Sequence, residues 1–502
     1  MKLNREQEAA ASAPIADHLT IVAGPGTGKT RTLVARAQFL IAAGVRADWI
    51  VALSFTVSAA AELEERMPQG VTCSTLHGWA ALVLESVSHL RGRTIYDPTE
   101  ANDLRGEAQR TAGRGVRADT VYRQWLREAH ATDYDLLISD LLEWVRTTTG
   151  PLPTHVLVDE AQDLDEQQHA VLEALRVRGV WVTTVGDPRQ SIFRWRDARP
   201  DLWKAYGTVV NLTKNYRSSA EIVAYANARQ PLLGARDLPC DPIVATVPPG
   251  GQPVVTDART RGNVEGLKRF VDTARHVSGA EATTAILCRS WWGARQVRSD
   301  LAAADIPCRW YGPSSTSWND PAGRLLARWL RLALPTAQHD ANLVSWVVRE
   351  LRHATDTRAV LARRPTGWSV FADAVRRGDL PAMPPTASAR DVGAVLVDHI
   401  RSHPVLHAPD LADAVAAYLP QLEHRQRSTV KRFAWWWALG RGSQITYDAD
   451  PKVVHVMTVH GAKGLEFDAV LFVDDGRESP DVEELCIRYV AHTRARRLLW
   501  VA

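Results

Sequence analysis

The amino-acid sequence predicts an α/β protein with two parallel sheets, each interrupted by a helical insertion. Short apolar runs rich in β-branched residues alternate with helix-forming segments, which is typical of a parallel sheet covered on both faces. Strands that alternate with helices in this way imply right-handed crossovers and a doubly wound sheet. The first four predicted strands are Leu19 to Ala23, Ile50 to Phe55, His155 to Val158 and Val180 to Val185.

The first sheet is predicted to carry a helical insertion. The strand pattern stops between Leu82 and Gly150, where segments such as TVYRQWLREAHATDYDLLISDLLEWVRTTT have helical spacing. The sequence PLP at 151–153 then returns the chain to the sheet.

A second strand series predicts the second sheet. It starts near Thr283 and resumes at 452–457 and 469–473. The intervening stretch, 335–446, is rich in Ala, Arg and Trp and is typical of helices, with Pro-rich punctuation at 381–385. We therefore expect two α/β domains, each with a helical insertion.

Composition places the chain among soluble globular proteins. Of its 502 residues, 45% are hydrophobic and 23% charged, with 60 Lys+Arg against 57 Asp+Glu, which excludes long disorder, collagen and coiled coil. The five scattered cysteines indicate neither a disulfide framework nor a zinc site. Neither an apolar run of membrane-spanning length nor a signal peptide is visible, so we expect a cytoplasmic protein.

A glycine-rich segment, GPGTGKT at 24–30, follows the strand LTIVA and precedes a helical stretch. With Ala23 in first position it matches the phosphate-binding loop, whose backbone N–H groups converge on a phosphate at a helix N-terminus. Lys29 would bind the β- and γ-phosphates, and the Thr30 hydroxyl would ligate Mg²⁺. A strand-to-helix turn without a ligand is the alternative. The predicted nucleotide contacts of this loop are Gly24, Gly26, Thr27, Gly28, Lys29 and Thr30.

Two carboxylates, Asp159 and Glu160, end the apolar run HVLV. A Mg²⁺-bound triphosphate needs one carboxylate near the metal and one to activate water, so we predict Asp159 as metal ligand and Glu160 as general base. Surface charge is the alternative for an isolated acidic pair. The apolar strand and the upstream phosphate loop favour ATP hydrolysis instead.

Further motifs follow along the chain. They are LNREQ at 3–7, ALSFTVSAAAELEERM at 52–67, TLHGWA at 75–80, VGDPRQSIFRWRDA at 185–198, NLTKNYRSS at 211–219, AILCRS…IPCRWYG at 285–312, VHVMTVHGAKGLEFDAVLFV at 454–473 and IRYVAHTRARRLL at 487–499. With these segments the sequence resembles the superfamily 1 DNA helicases of the UvrD/Rep/PcrA type, from Leu3 to its last residue. The pentapeptide LNREQ resembles the adenine-reading Q motif, although the start of an amphipathic helix accounts for it equally well.

The resemblance implies two RecA-like P-loop motor domains, 1A and 2A, with insertions 1B and 2B. The predicted boundaries are 1-82 and 150-212 for 1A, 83-149 for 1B, 213-335 and 446-502 for 2A, and 336-445 for 2B. This 2B is shorter than in the family's longer members, where 2B is linked to autoinhibition and duplex contact. The strength of unwinding therefore stays open. We expect no partner-binding tail and no nuclease domain after Ala502.

The resemblance also implies a nucleotide site between the motor domains. Arg217 and Arg494 would be cationic clamps that 2A supplies across the cleft, and Gln190 would sense the γ-phosphate or position water. A solvated helix face is the alternative for each arginine. The resemblance places four further residues around the adenine and ribose, namely Gln7, Arg31, Tyr216 and Glu466.

Single-stranded DNA has to be held without sequence preference, and aromatic rings achieve this by stacking on bases. Phe55 could instead be a core residue, because an aromatic stripe is usually buried. The residues that the resemblance assigns to DNA are Phe55, His77, Phe193, Trp195, Arg196, Thr458 and His460.

The chain departs from the family pattern within the third motif. Pro188 and Arg189 stand where the family usually has acidic residues, and Phe193 stands where tyrosine is commoner. Gln190 is kept, so we expect ATP chemistry to be retained.

The predicted function is an ATP-dependent DNA helicase or translocase that moves 3′→5′ on single-stranded DNA in repair, recombination or replication. Its cofactors would be ATP and Mg²⁺, and its partners single-stranded DNA and single-strand/duplex junctions, as a monomer or weak dimer away from membranes; a loading protein is not identified. Two alternatives stay open: an RNA-directed or 5′→3′ translocase with weak unwinding, and a nucleic-acid-binding subunit without turnover. Intact Lys29, Glu160, Gln190 and Arg494 count against the second.

Overall fold

The computed structural model of the chain has two compact units. It describes residues 2–87, 93–96, 98–112, 117–230, 238, 240–248, 254–256, 263–279, 281–311, 321–332, 346, 386–402, 409–423, 433, 447, 449–474 and 481–502. The first unit comprises Met1–Trp79, Leu141–Ser315 and Thr446–Ala502, and the second comprises Ala80–Asp140 and Thr316–Ile445.

Helices and strands alternate along most of the described chain. The strands are β1 (Leu19–Ala23), β2 (Ile50–Ser54), β3 (Thr72–Thr75), β4 (Thr94–Ile95), β5 (Ala131–Thr132), β6 (His155–Val158), β7 (Trp181–Gly186), β8 (Thr208–Leu212), β9 (Lys214–Asn215), β10 (Val244–Ala245), β11 (Val255–Thr256), β12 (Thr284–Cys288), β13 (Cys308–Trp310), β14 (Val454–Thr458), β15 (Phe467–Val473) and β16 (Ala495–Val501).

The helices of the described residues cover and connect these strands. They are α1 (Arg5–Ala11), α2 (Lys29–Ala42), α3 (Val57–Arg66), α4 (Leu76–Ser86), α5 (Pro98–Thr111), α6 (Ala118–Glu128), α7 (Tyr134–Thr147), α8 (Glu166–Val177), α9 (Ala220–Ala228), α10 (Val264–Ser278), α11 (Trp291–Ala303), α12 (Pro321–Leu332), α13 (Ala389–Ser402), α14 (Pro409–Ala416) and α15 (Val482–His492). Each of these helices is too short or too polar to cross a bilayer.

The first sheet contains six parallel strands in the order β3-β2-β6-β7-β1-β8. All four predicted strands are confirmed, and their side chains are buried as the apolar runs require. The second predicted strand ends one residue early, at Ser54, so Phe55 lies in the following loop. The sequence pattern missed the two edge strands, β3 and β8, because their first residues are partly or largely exposed and lack the continuous apolar signal of a central strand.

The second sheet also contains six parallel strands, in the order β11-β16-β15-β12-β14-β13. The predicted series near Thr283, 452–457 and 469–473 corresponds to β12, β14 and β15, the buried centre of this sheet. The predicted α/β class with two parallel sheets is therefore confirmed. Both sheets belong to the first unit, and the carboxyl ends of their parallel strands carry most of the predicted site residues.

The helices of the first unit pack on the sheets through apolar faces. In α2 the buried residues Leu33, Ala37 and Leu40 recur at helical spacing and share a core with Leu19 and Ile21 of β1. This packing holds α2, which starts at Lys29, against β1, and the phosphate loop connects the two elements.

The second unit has one hydrophobic core built from both of its chain segments. Tyr96 and Leu126 from the first segment pack in it with Leu326 and Trp329 of α12 and with residues of α13 and α14. A short parallel pair, β4 with β5, lies within the otherwise helical first segment. Much of the predicted insertion 336–445, with the Pro-rich stretch 381–385, lies outside the described residues, and the predicted domain boundaries stay predictions.

Buried charges in α12 explain why its apolar run is interrupted by arginines. Arg331 Nη1 donates to Glu100 Oε1 at 2.6 Å, and Arg328 Nε lies 3.7 Å from the same oxygen. All three side chains are nearly inaccessible to solvent, so the pairing satisfies charges that would be costly if left alone.

His492, the last residue of α15, makes the stability of the first unit sensitive to acid. Its ring packs against Tyr225 and Phe472, with centroid distances of 5.0 and 5.7 Å. Burial, reinforced by Arg229 and Arg488, lowers its pKa to about 3. The unfolded chain, with an ordinary histidine pKa near 6.5, therefore takes up this proton first, and the free energy of unfolding falls as the pH drops from about 6.5 towards 3.

Lowering the pH from 7.5 to 5 should reduce the free energy of unfolding of the wild type by about 2 kcal/mol more than that of the variant His492→Phe. Phenylalanine keeps the ring contacts but has no proton to bind. Urea denaturation of both proteins at the two pH values measures this difference. Equal pH dependence in the two proteins would contradict the assignment.

Candidate active site and nucleic-acid interface

The loop between β1 and α2 has the backbone of a phosphate cradle. Gly26 and Gly28 have φ angles of +70° and +84°, which side chains rarely tolerate. A Cβ on Gly26 would also lie 2.7 Å from the Cβ of Arg217, and the Tyr216 N–H donates to the Gly26 carbonyl at 2.9 Å. The phosphate loop is thus packed directly against the segment that carries Arg217.

Gln7 supports this loop from α1. Asn4 caps α1 and its backbone N–H donates to Gln7 Oε1 at 3.1 Å, while Gln7 Nε2 donates to the Thr27 carbonyl at 2.9 Å. The side chain is 2% exposed. A contact between Gln7 and adenine stays a prediction. The hydrogen bonds of Gln7 show that its side chain supports the phosphate loop.

Other predicted nucleotide contacts lie in or around the same loop. Thr27 is buried and its hydroxyl donates to the Gly24 carbonyl at 2.7 Å. Arg31 is half-buried in the first turn of α2. Tyr216 is largely exposed, and its hydroxyl accepts from Asn4 Nδ2 at 2.7 Å.

The predicted catalytic carboxylates lie beside the phosphate loop at the end of β6. Thr30 Oγ1 donates to Asp159 Oδ2 at 3.3 Å, and Lys29 Nζ lies 3.9 Å from Glu160 Oε1. Glu160 has a φ of +53°, a left-handed conformation that is uncommon outside glycine and occurs at functional sites. The sequence prediction that these four side chains meet is therefore consistent with the fold.

The electrostatic environment gives the two carboxylates different pKa values. Burial, together with repulsion from Glu160, raises the pKa of Asp159 to about 7. Burial also disfavours the charge of Glu160, but Lys29 and then Lys463 outweigh it and lower its pKa to about 2. A buried carboxylate beside a hydroxyl is a hard oxygen donor set, and a divalent cation there would relieve the charge penalty on Asp159. The residues present thus fit Mg²⁺ held by Thr30 and Asp159.

A continuous line of side chains leads from Glu160 to Arg494. Gln162 Nε2 donates to Glu160 Oε2 at 2.6 Å, and Gln162 Oε1 accepts from the Asp187 N–H at 3.1 Å. The Asp187 carboxylate accepts from Gln190 Nε2 at 2.9 Å, and Gln190 Oε1 accepts from Arg494 Nη2 at 3.0 Å. The base predicted on the first sheet and the arginine predicted on the second are thereby joined.

The two predicted arginine clamps approach the same place. Burial lowers the pKa of Arg494 to about 9, and repulsion from Arg217 contributes to the shift. Arg217 forms an ion pair with Glu466, which is also paired with Arg496. Two close guanidinium groups, one of them fully buried, create a position where an added anion would be stabilised.

A cleft of about 520 Å³ opens beside this position. Its walls join the phosphate loop to β15 and β16 of the second sheet, and its lining residues are Gly26, Gly28, Tyr216, Arg217, Val247, Glu466, Asp468, Arg496 and Arg497. The predicted ribose contact, Glu466, therefore faces the same cleft as Tyr216.

Lys463 is a site residue that the sequence reasoning missed. Its ammonium group forms an ion pair with Asp163 and donates to the Gln190 carbonyl at 2.7 Å. The same nitrogen lies 4.9 Å from the centre of the Phe193 ring. Its position between two glycines in HGAKGLEF was the available signal, but sequence spacing could not show which carboxylate it would meet.

The predicted aromatic residues form one cluster near Lys463. Phe55 stacks on Phe193 with a centroid distance of 5.1 Å, and His460 lies 6.0 Å from Phe193 and 6.1 Å from Trp195. Trp195 is 64% exposed, whereas Phe193 is 7% exposed because Phe55 covers its face. Trp195 is open to a base in this conformation, and Phe193 would need Phe55 to move.

The remaining predicted DNA contacts differ in exposure. The Arg196 guanidinium lies 5.2 Å from the centre of the Trp195 ring, so a cation lies next to this exposed ring. His77 is half-buried in the first turn of α4. Thr458 is buried, and its hydroxyl accepts from the Gly461 N–H at 3.3 Å. Burial lowers the pKa of His460 to about 4, so this ring is neutral at physiological pH.

Comparisons with known proteins find related domains at both ends of the chain. Residues 6–196 match the family model of an AAA domain, and residues 453–502 match that of a UvrD-like helicase C-terminal domain. The chain is 29% identical over 289 residues to the ATP-dependent DNA helicase Rep of Salmonella typhimurium, which covers 45% of this chain and 43% of the relative.

Other curated relatives cover similar portions. DNA helicase II of Escherichia coli is 27% identical over 62% of this chain and 51% of its own length. The ATP-dependent DNA helicase PcrA of Leuconostoc citreum is 27% identical over 42% of this chain and 36% of its own length. The chain thus spans about half the length, or less, of these relatives. The matched domains, the shared motifs and the two-sheet fold support the similarity of the chain to superfamily 1 helicases of the UvrD/Rep/PcrA type.

Proposed function

We propose that the protein is an ATP-dependent DNA helicase or translocase that moves 3′→5′ on single-stranded DNA and unwinds duplex DNA. The observation that carries the ATPase part is the connected line from Glu160 through Gln190 to Arg494. This line joins a carboxylate that could accept a proton from water to an arginine that could stabilise negative charge, and phosphoryl transfer uses groups of both kinds. The polarity rests on the resemblance of the motifs to the UvrD/Rep/PcrA type alone.

The roles of the residues follow from their charge and position. Lys29 neutralises the β- and γ-phosphates, and Arg217 and Arg494 stabilise the negative charge that spreads over the γ-phosphoryl oxygens during transfer. Glu160 stays ionised under the influence of Lys29 and accepts the proton of the attacking water. Thr30 and Asp159 would hold Mg²⁺, which would supply charge neutralisation on the phosphates.

Lys463 supports a coupling between ATP and DNA. It contacts Asp163 and Gln190 in the ATP site and lies over the Phe193 ring of the aromatic cluster. If Gln190 moves as ATP is bound and hydrolysed, Lys463 would therefore move with it and change its contact with the Phe193 ring. Alternating tight and loose grips on the strand convert such shifts into stepping.

DNA-stimulated release of phosphate from ATP tests the motor function, and strand displacement tests its direction. Wild-type protein is incubated with ATP and Mg²⁺, with and without single-stranded DNA, and then with duplexes that carry a 3′ or a 5′ tail, in DNA and in RNA. We expect stimulation by DNA and unwinding from 3′ tails. The absence of stimulation would refute the motor function, and unwinding from 5′ tails alone would refute the polarity.

Trp195 is the ring predicted to contribute most to DNA affinity, because it alone of the cluster's tryptophan and phenylalanine rings is largely exposed. A stacked base is worth roughly 1–3 kcal/mol, so Trp195→Ala should weaken single-stranded DNA binding by roughly 5- to 150-fold. Trp195→Phe keeps the stacking face and should recover most of the affinity. Fluorescence anisotropy with a labelled oligonucleotide measures both, and unchanged binding by Trp195→Ala would contradict the assignment.

A further inference from the structure

Arg189 occupies the turn of 3-10 helix at Pro188–Gln190 and is 2% exposed. A buried guanidinium is costly unless its donors are paired. Its Nε donates to Asp187 Oδ1 at 2.8 Å, and its Nη1 donates to Gln230 Oε1 at 2.9 Å and to the Asp241 carbonyl at 3.2 Å. Acceptors on two separate segments of the chain thus hold this side chain.

The same guanidinium lies against two other parts of the proposed ATP site. It is 5.4 Å from the ring centre of Tyr489 on α15, the helix that Arg494 follows. A Cβ built on Gly24, at the start of the phosphate loop, would lie 3.3 Å from Arg189 Nη2. Arg189 therefore touches the phosphate loop and the helix before Arg494 at once.

Asp187 connects Arg189 with Gln190. Its Oδ1 accepts from the backbone N–H and the Nε of Arg189, and its Oδ2 accepts from Gln190 Nε2. Burial works against the charge of Arg189, but Asp187 outweighs it, and the pKa of Arg189 lies above its usual value. Both side chains are almost wholly buried, so the pairing with Arg189 offsets the cost of burying the Asp187 carboxylate and holds it in place.

The Asp187 carboxylate in turn sets the orientation of the Gln190 amide. Its Oδ2 accepts from Gln190 Nε2, so the NH₂ end of the amide faces Asp187 and the Oε1 end is left to face Arg494. The orientation of Gln190 thus depends on a cation that does not itself contact Gln190 through its side chain.

We propose that Arg189 is a positioning residue for ATP hydrolysis, which holds the Asp187 carboxylate in place and thereby holds the Gln190 amide in the orientation that presents Oε1 to Arg494. This inference rests on the proposed ATPase function. The family usually has an acidic residue at this position, so the device belongs to this chain's own sequence.

A double-mutant cycle on DNA-stimulated ATP hydrolysis tests the proposal. The full chain is prepared as wild type, Arg189→Met, Gln190→Ala and the double variant, and kcat, KM and the affinity for a fluorescent ATP analogue are measured. We expect Arg189→Met to lower kcat by about 10- to 100-fold while nucleotide affinity changes by less than about threefold. In the Gln190→Ala background the same change should lower kcat by less than about twofold.

Controls separate positioning from a general loss of structure. Arg36 is also a buried arginine, but it donates to carbonyls of the segment after α1, including Pro14 at 2.8 Å. Arg36→Met should lower the melting temperature and leave kcat of the folded protein unchanged. If Arg189→Met does not fold, the cycle is run with Arg189→Lys, which keeps the charge without the fork geometry and should lower kcat by a smaller factor.

The outcomes are distinct. A loss of kcat that disappears in the Gln190→Ala background supports the proposal. An equal loss in both backgrounds, or no loss from the arginine change, overturns it while leaving the ATPase function intact. A wild-type protein without DNA-stimulated hydrolysis overturns the proposed function itself.

Discussion

Replacing Lys29 with alanine is expected to lower DNA-stimulated ATP hydrolysis by about 10³-fold, at the upper end of what one preorganised donor contributes to a charged transition state. The ammonium group lies 3.9 Å from Glu160 in a largely buried site, where charge interactions are strong. Its loss removes the cation on the phosphates and also the group that lowers the pKa of Glu160. Phosphate release under saturating DNA and ATP measures the effect.

Lys204 provides a matched control, because it is an exposed lysine in the same unit and outside the cleft. Lys204→Ala should hydrolyse ATP at the wild-type rate. If Lys29→Ala kept more than about a tenth of the wild-type kcat, the catalytic role of the phosphate loop would be wrong, because one lost donor there should cost at least about 10²-fold.

Arg494→Ala is expected to lower kcat by about 10³-fold or more, since an arginine that stabilises a phosphoryl transition state contributes about 10³- to 10⁵-fold. Nucleotide affinity should change far less, because the interaction develops in the transition state. Arg494→Lys should remain strongly impaired, because an ammonium group cannot contact Gln190 and a phosphate oxygen through a planar fork. Single-turnover hydrolysis and nucleotide titration separate the two effects.

Arg488 is the control for this change. It lies on α15, upstream of Arg494, and its Nε donates to Asp474 at 2.7 Å, away from the cleft. Arg488→Ala should keep the wild-type kcat. A fall in nucleotide affinity as large as the fall in kcat for Arg494→Ala would show that Arg494 binds the ground state and not the transition state.

Local patterns made much of the fold predictable. The central strands are continuous apolar runs, so β1, β6, β7 and β12 were visible from hydrophobicity alone. The phosphate loop was visible because its glycines, lysine and threonine are contiguous between a strand and a helix. These signals depend on neighbouring residues and survive without knowledge of tertiary structure.

The connections within the site could not be predicted in this way. Lys463 meets Asp163, 300 residues earlier in the chain, and Arg494 meets Gln190, 304 residues earlier. Such pairs are decided by how the two sheets meet. Likewise, the shared core of the second unit joins Tyr96 to Trp346 across two distant segments, and no periodicity within either segment indicates the other.

The exposure of the aromatic residues also needed the structure. Phe193 and Trp195 are two residues apart and had the same predicted role, yet Phe55 covers the former and leaves the latter open. The sequence shows that an aromatic ring is present at each position. Whether a base can reach the Phe193 ring depends on Phe55 in the loop after β2, which only the structure shows.

We propose that a nucleotide binds between Lys29 and Glu160 on one side and Arg217 and Arg494 on the other. A structure of the protein with single-stranded DNA, Mg²⁺, ADP and a planar fluoride mimic of the γ-phosphoryl group tests it directly. We predict that Lys29 Nζ and both guanidinium groups lie within hydrogen-bond distance of the mimic or the β-phosphate. A structure in which the mimic binds at the phosphate loop while both arginines keep their other contacts, out of reach of the mimic, would contradict this binding mode.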